Sequence, residues 1–223
     1  MDTPHTVIEL RRYLMQPGRR DDLIELFERE FITGQQAVGI DVLAVFREPE
    51  APDRFTWLRS FADMPARAKA LAAFYGGPLW QAHRTAANAT MVDSDDVLLL
   101  RPSSGLAGLP GLGPAQRAAV PRPWRAVVLP LAEPADGALR ERAVVPWLRS
   151  LRDAGAQELA VFETEPAPNN FPRLPVRTDG PVLVVLCAWP SDGPLPGLPA
   201  FEPWLRARPL VLRLSPTAGS PRA

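Results

Sequence analysis

The sequence predicts an α+β fold built from two tandem units of the split βαβ type. Three observations carry that reading. Strand and helix signals follow the order β-α-β-β-α-β, a glycine- and proline-rich break falls near mid-chain, and the same order begins again beyond it. The 223 residues suffice for two domain-sized units of about 100 residues each.

Thr6 to Leu14 reads as the first strand, with Ile8, Leu10 and Arg12 on one face and Glu9, Arg11 and Tyr13 on the other. The Pro17-Gly18 turn leads into a helix in which Leu23, Leu26, Phe27 and Phe31 recur at helical spacing. Ile40 to Arg47 and Arg54 to Phe61 are the next strands, joined by the turn-rich stretch from Glu48 to Asp53. The later one sets Phe55, Trp57, Arg59 and Phe61 on one face. Asp63 is placed as an N-cap, with Pro65 in the first turn of a helix through Ala66 to Ala73. Gly76-Gly77-Pro78 breaks it, a second helical piece runs from Leu79 to Asn88, and Val97 to Arg101 is the closing strand.

The resulting organisation is a first module over residues 1–101, a Pro/Gly-rich linker over 102–123, a second module over 124–216 and a C-terminal tail over 217–223. In the second module the strands are Arg125 to Leu131, Leu159 to Glu163, Val182 to Trp189 and Leu210 to Leu214. A helical region carries Val144, Trp147, Leu148 and Leu151 on one face. Ala44-Val45-Phe46 recurs as Ala160-Val161-Phe162, and Pro52 and Phe55 recur as Pro168 and Phe171, all at an offset of 116. This copy is degenerate. Of 27 prolines, 21 lie after residue 101. Pro146 interrupts the first helix, and Pro199, Pro203 and Pro209 hem the remnant of the second at Ala200 to Ala207. At an offset of 117, taken from Pro17 to Pro134, the counterparts of Glu9, Arg11 and Tyr13 are Ala126, Val128 and Pro130. A polar site is therefore expected only in the first module.

Composition excludes several classes. The 25 basic and 25 acidic residues cancel, and no polybasic run marks a nucleic-acid partner. The halves differ in sign, minus 3 over residues 1–101 and plus 3 over 102–223, as suits two modules that face each other. The longest apolar run, Val182 to Trp189, falls far short of the ~20 residues of a membrane span. The start lacks a basic segment followed by an apolar one, so a soluble, cytoplasmic protein is expected. Cys187 is the single cysteine and reads as a buried thiol, and two histidines cannot make a multi-histidine metal site. Asp93-Ser94-Asp95-Asp96 lacks the spacing of a calcium loop and reads as a turn.

Several stretches of the first half resemble the NIPSNAP family. They are Glu9-Leu10-Arg11-Arg12-Tyr13 followed by Pro17-Gly18, the run Arg54-Phe55-Thr56-Trp57-Leu58-Arg59-Ser60-Phe61-Ala62-Asp63, and above all Phe74-Tyr75-Gly76-Gly77-Pro78-Leu79-Trp80. The last continues through His83-Arg84 and Ala87-Asn88-Ala89-Thr90-Met91. The resemblance implies ferredoxin-like modules of the dimeric α+β barrel type, here two on one chain closing a pseudo-dimeric barrel. It carries over no catalytic residue. Relatives of that fold include cofactor-independent monooxygenases and haem-binding enzymes, and fold does not transfer chemistry.

Two readings of the residues stay open. In the first, Glu9, Arg11, Tyr13, Trp57 and Arg59 look into a partly polar cavity in the barrel of the first module. Trp80, His83, Arg84 and Ala87 then form a helical stripe nearby. Glu9 and His83 are the catalytic candidates. Arg11, Tyr13, Trp57, Arg59, Trp80 and Arg84 are the candidates for binding a small apolar or aromatic ligand, with no metal and no tightly held cofactor. The expected activity is monooxygenase- or isomerase-like. In the second, Glu9 and the arginines are satisfied ion pairs, His83 is structural, and the protein serves protein–protein association, with a homodimer preferred. Haem ligation by His83 is a further alternative. A barrel interior filled by side chains, with no void and with Glu9 fully paired to arginine, would defeat the enzyme reading.

Overall fold

Alternating apolar residues dictate sheets with two buried faces, and the computed structural model resolves how these faces are shared. It describes residues 5–103, 122–189 and 193–221. The N-terminal half contributes β1 (Val7–Met15), α1 (Arg20–Leu26), a π-helical turn (Phe27–Phe31), α2 (Ile32–Gln36), β2 (Asp41–Arg47) and β3 (Arg54–Phe61). It continues with α3 (Met64–Gly76), α4 (Pro78–Asn88), β4 (Met91–Asp93) and β5 (Val97–Pro102). The C-terminal half contributes β6 (Trp124–Pro130), α5 (Gly137–Leu139), a second π-helical turn (Arg140–Val144), α6 (Val145–Asp153) and β7 (Gln157–Thr164). It ends with β8 (Val182–Ala188), a 3₁₀ helix (Pro199–Trp204) and β9 (Leu210–Pro216).

Eight of the described strands close into an antiparallel barrel in the order β1-β3-β2-β9-β6-β8-β7-β5, with β5 returning to β1; the short β4 adds to the end of β1. This is the expected α+β barrel of ferredoxin-like units. Its interior is an apolar core to which both halves contribute: Ile8, Leu10, Phe46 and Leu58 pack in one cluster with Ala126, Val128, Val184 and Leu214. Arg12, on the same face of β1, reaches the rim. There it holds Glu48 through two hydrogen bonds of 2.6 and 2.8 Å, while the Thr56 hydroxyl donates to the same carboxylate at 2.7 Å.

The two joins between the halves are short. β5 and β7 share three residue pairs, and Glu163 ties them by ion pairs to Arg101 at 2.8 Å and Arg140 at 2.7 Å. β2 and β9 share only Phe46 with Pro216 and Arg47 with Ser215. Thr217 and Ser220 prolong that join. The Thr217 N–H donates to Val45 O at 3.0 Å, and the Val45 N–H donates to Ser220 Oγ at 2.9 Å. The described part of the C-terminal tail, residues 217–221, is therefore docked on β2. The expected linker lies outside the described residues over 104–121. Its first residues are part of the sheet, since Pro102 ends β5 and the Ser103 N–H donates to Val161 O.

Helices cover the outer face of each half. In α3, Asp63 accepts from the Ala66 N–H at 2.7 Å and Pro65 sits in the first turn, as the capping pattern required. Pro146 is tolerated because it sits just past the π-helical turn, where the i→i−4 ladder is already interrupted, and the proline-hemmed remnant is the 3₁₀ helix. The 165–181 connection between β7 and β8 crosses onto the N-terminal half. The Glu165 N–H donates to Leu99 O, the Arg177 N–H to Val97 O, and Phe171, Leu174 and Val176 pack on that half's outer core.

A core contributed by both halves should unfold as one unit. Phe46→Ala is expected to cost about 3–5 kcal/mol, with tryptophan fluorescence and far-UV circular dichroism still giving coincident urea transitions. Separate transitions for the two signals would show independent halves.

Candidate functional site

The charged and aromatic residues singled out on β1 and β3 are brought together, but on the opposite side of the sheet from the one expected. Ile8 and Leu10 take the barrel interior, so Glu9, Arg11 and Tyr13 point outward beneath the helices, with Trp57 and Arg59 beside them. The physical reason is partnership. The interior residues described for the second half, Ala126, Val128, Val184 and Leu214 among them, are apolar. On the outer face Glu9 meets Arg11 and Arg59 from the sheet and Arg67 from the helical layer, and buried charges need charged partners. By face, the counterparts of Glu9, Arg11 and Tyr13 are Val127, Leu129 and Leu131, one residue from the positions expected, and these carry no charge.

Glu9 is the centre of the cluster. The β1–β3 register places it directly across from Arg59, whose Nε donates to Glu9 Oε2 at 2.8 Å. Arg11 Nη1 reaches the same oxygen at 2.6 Å, and Arg67 Nε, from α3, donates to Oε1 at 2.7 Å. All four side chains are at most 1% exposed. The outer ring is polar but uncharged. Arg11 Nε donates to the Tyr13 hydroxyl at 2.8 Å and Arg59 Nη1 to Gln35 Oε1 at 3.1 Å. Arg67 Nη1 donates to Asn169 Oδ1 at 3.0 Å and Asn170 Oδ1 at 2.8 Å. Aromatic faces take up the rest, with the Arg11 and Arg59 guanidinium carbons 5.7 and 5.2 Å from the Trp57 ring centroid.

Burial pushes the Glu9 carboxyl upward, but Arg59, Arg11 and Arg67 outweigh it and hold it far below the usual carboxylate range. Burial likewise pulls Arg67 below the ordinary guanidinium value despite Glu9. Glu9 is thus a saturated carboxylate and too weak a base to take a proton from a substrate. This pairing counts against the expected catalytic role for it, and the barrel interior, expected to hold a partly polar cavity, is an apolar core. Burial pushes the Cys187 thiol up to about 12, so it stays protonated.

A cavity of about 40 Å³ does exist, between the outer face of β1–β3 and the helices. Tyr13 and Trp57 form its floor, Phe27, Phe31, Gln35 and Phe74 its sides, and the half-buried Tyr75, Trp80 and Met91 its outer edge. Both phenylalanines on the π-helical turn face it. Trp80 and Ala87 reach it from α4, but the rest of the expected stripe does not. His83 packs edge-on to Phe31 with Nε2 3.9 Å from Glu30 Oε2, and Arg84 is exposed. His5 is held beside β3, its Nδ1 2.7 Å from Ser60 Oγ.

Sequence reasoning missed Arg67, Gln35, Asn169 and Asn170. Arg67 had a signal, because it falls in line with Ala70, Leu71 and Phe74 on the buried stripe of α3. The asparagines had none, lying in an irregular segment of the other half.

Residues 8–105 hold every member of the cluster except those two asparagines, and this stretch matches the family model described as NIPSNAP. The N-terminal half is similar to NIPSNAP domains. An uncharacterized NIPSNAP-like domain protein from Burkholderia xenovorans is 27% identical over 48% of this chain and 92% of its own, with a TM-score of 0.43. Two solved structures extend beyond the matched stretch to nearly the whole chain. An anthrone oxidase-like protein is 14% identical over 96% of this chain and 92% of its own, with a TM-score of 0.62. A proposed monooxygenase from Lactobacillus acidophilus is 10% identical over 99% of this chain and 100% of its own, with a TM-score of 0.54. At those identities they show a shared fold. No curated protein matches the sequence at a significant level.

Removing the acid at the centre leaves three buried guanidiniums without a counter-charge, so Glu9→Gln is expected to cost about 3–5 kcal/mol. The folded pKa of Glu9 is depressed, so its stabilisation is present above its ordinary value of 4.5 and is lost as pH falls below it. Urea midpoints at pH 7 and pH 3 should fall more for the wild type than for Glu9→Gln; equal falls would contradict the pairing.

Proposed function

We propose that the N-terminal half binds a small aromatic compound in the cavity between the β1–β3 face and the helical layer. The chemistry that suits the site is oxygenation or isomerisation without a tightly held cofactor. The observation that carries this reading is an aromatic-walled cavity backed by a buried arginine cluster in the N-terminal half. A few polar groups behind apolar walls are the usual composition of a small-molecule site. Neither Glu9 nor His83 serves as the base here. What the site supplies is a preorganised positive field, which favours the ionised form of a substrate acidic enough to give its proton to water. That form then reacts directly with dioxygen or takes a proton back from water at another atom to tautomerise. The names of the two full-length structural neighbours agree with oxidation chemistry, a support by analogy of fold.

The cavity as closed has room for a small number of waters, whereas a benzene-sized guest takes about 150 Å³. The missing space is at the outer edge. α4 fully buries only Ala87 and follows the Gly76-Gly77 break, so Trp80 and Tyr75 are the side chains whose displacement admits a ring. Benzamide, titrated into the full chain and followed by saturation-transfer NMR, is expected to bind with millimolar or better affinity. Ala87→Leu fills the cavity and should abolish that binding, while Trp80→Ala widens the outer edge and should keep or strengthen it. No binding to the wild type or to Trp80→Ala would overturn the reading.

A further inference from the structure

The cluster is unbalanced. Arg11, Arg59 and Arg67 surround a single carboxylate, Glu9, and each of their remaining partners is neutral: the Tyr13 hydroxyl, the Gln35 amide and the amides of Asn169 and Asn170. Formally, two positive charges are buried without a counter-ion, and two atoms of the cluster, Arg59 Nη2 and Arg67 Nη2, have no hydrogen-bond partner, though Arg59 Nη2 lies 2.7 Å from Glu9 Oε2 as an ion pair. Uncompensated buried charge is costly, so an arrangement that keeps it points to something that arrives to balance it.

The cavity floor carries the matching polarity. Tyr13 accepts a hydrogen bond from Arg11 Nε, and no acceptor takes its own hydroxyl proton among the described residues. A phenol that accepts from a guanidinium becomes a stronger donor. Trp57 is 2% exposed, lines the same cavity, and its indole N–H has no acceptor. The two rings meet edge to face with centroids 6.0 Å apart. Gln35, the third polar wall residue, has its carbonyl committed to Arg59 and donates from its amide to Phe31 O. The floor therefore offers donors and no free carboxylate.

We propose that the ligand carries an anionic oxygen on or beside its ring, as a phenolate, enolate or arenecarboxylate does, and that this oxygen sits against the Tyr13 hydroxyl and the Trp57 indole N–H. The arginines stabilise it from behind. Tyr13 and Trp57 are the direct contacts, and Gln35, Asn169 and Asn170 are positioning residues that keep the arginines oriented without neutralising them. The inference rests on the small-molecule reading above and specifies the class of compound.

The test compares benzoate with its neutral isostere benzamide at pH 7, using the full chain. Benzoate is expected to bind at least tenfold tighter. Gln35→Glu is nearly isosteric, keeps the contact with Arg59 and supplies one missing negative charge. It should lower benzoate affinity at least tenfold while changing benzamide affinity less than threefold. Tyr13→Phe should also lower benzoate affinity selectively, with folding checked by circular dichroism. Benzamide binding that Ala87→Leu blocks, combined with no preference for benzoate, would overturn the anion proposal and leave the small-molecule reading standing. A benzoate preference that survives Gln35→Glu would overturn it as well. Failure of both probes to bind the wild type and Trp80→Ala would overturn the two together.

Discussion

One buried carboxylate organises the N-terminal half. Glu9 gathers a guanidinium from its own strand, one from the neighbouring strand and one from a helix, so β1, β3 and α3 are fixed to a common point. Through Arg67 the same point reaches the two asparagines contributed by the other half. Buried ion clusters are weak contributors to net stability but strong constraints on arrangement, because any other packing strands a charge. The aromatic cavity exists beside the cluster because Trp57 and Tyr13 are held by the same arginines whose charge they cover.

The two halves solve the same packing problem with different residues. Both place a π-helical turn in the first helix and both cover the outer sheet face with helices. In the C-terminal half the space under those helices is taken by Val127, Leu129, Trp147, Cys187 and Phe201, with the buried Arg125 across from Cys187 on the same face of the sheet. That half supports the first in another way. Its strands complete the barrel, and its 165–181 segment lays Phe171 against Tyr75 at the cavity's outer edge, with ring centroids 6.2 Å apart.

Much of this was legible in the sequence. Period-two alternation grouped Glu9, Arg11 and Tyr13 correctly and set Phe55, Trp57, Arg59 and Phe61 together, because strand geometry leaves no choice. Alternation cannot say which face is the barrel interior. That was decided by Ala126, Val128 and Val184, which meet Ile8 and Leu10 from far along the chain. The helical stripe was read less well. The spacing of Trp80, His83, Arg84 and Ala87 is consistent with one face, but α4 turns only part of that face inward, leaving Arg84 in solvent. Arg67 was readable as a charge on an apolar stripe. Asn169 and Asn170 were not, since their role depends on a long irregular connection that carries no periodicity.

The account stands on Glu9 being ionised and saturated by arginine. The direct measurement is the carbon-13 shift of its side-chain carboxyl followed by NMR from pH 7 downward. The carboxyl is expected to keep the shift of an ionised group until the protein unfolds in acid, without titrating near 4.5, its ordinary value. A titration centred there in the folded protein would show that the three guanidiniums do not hold it, and the central cluster would be lost from the account.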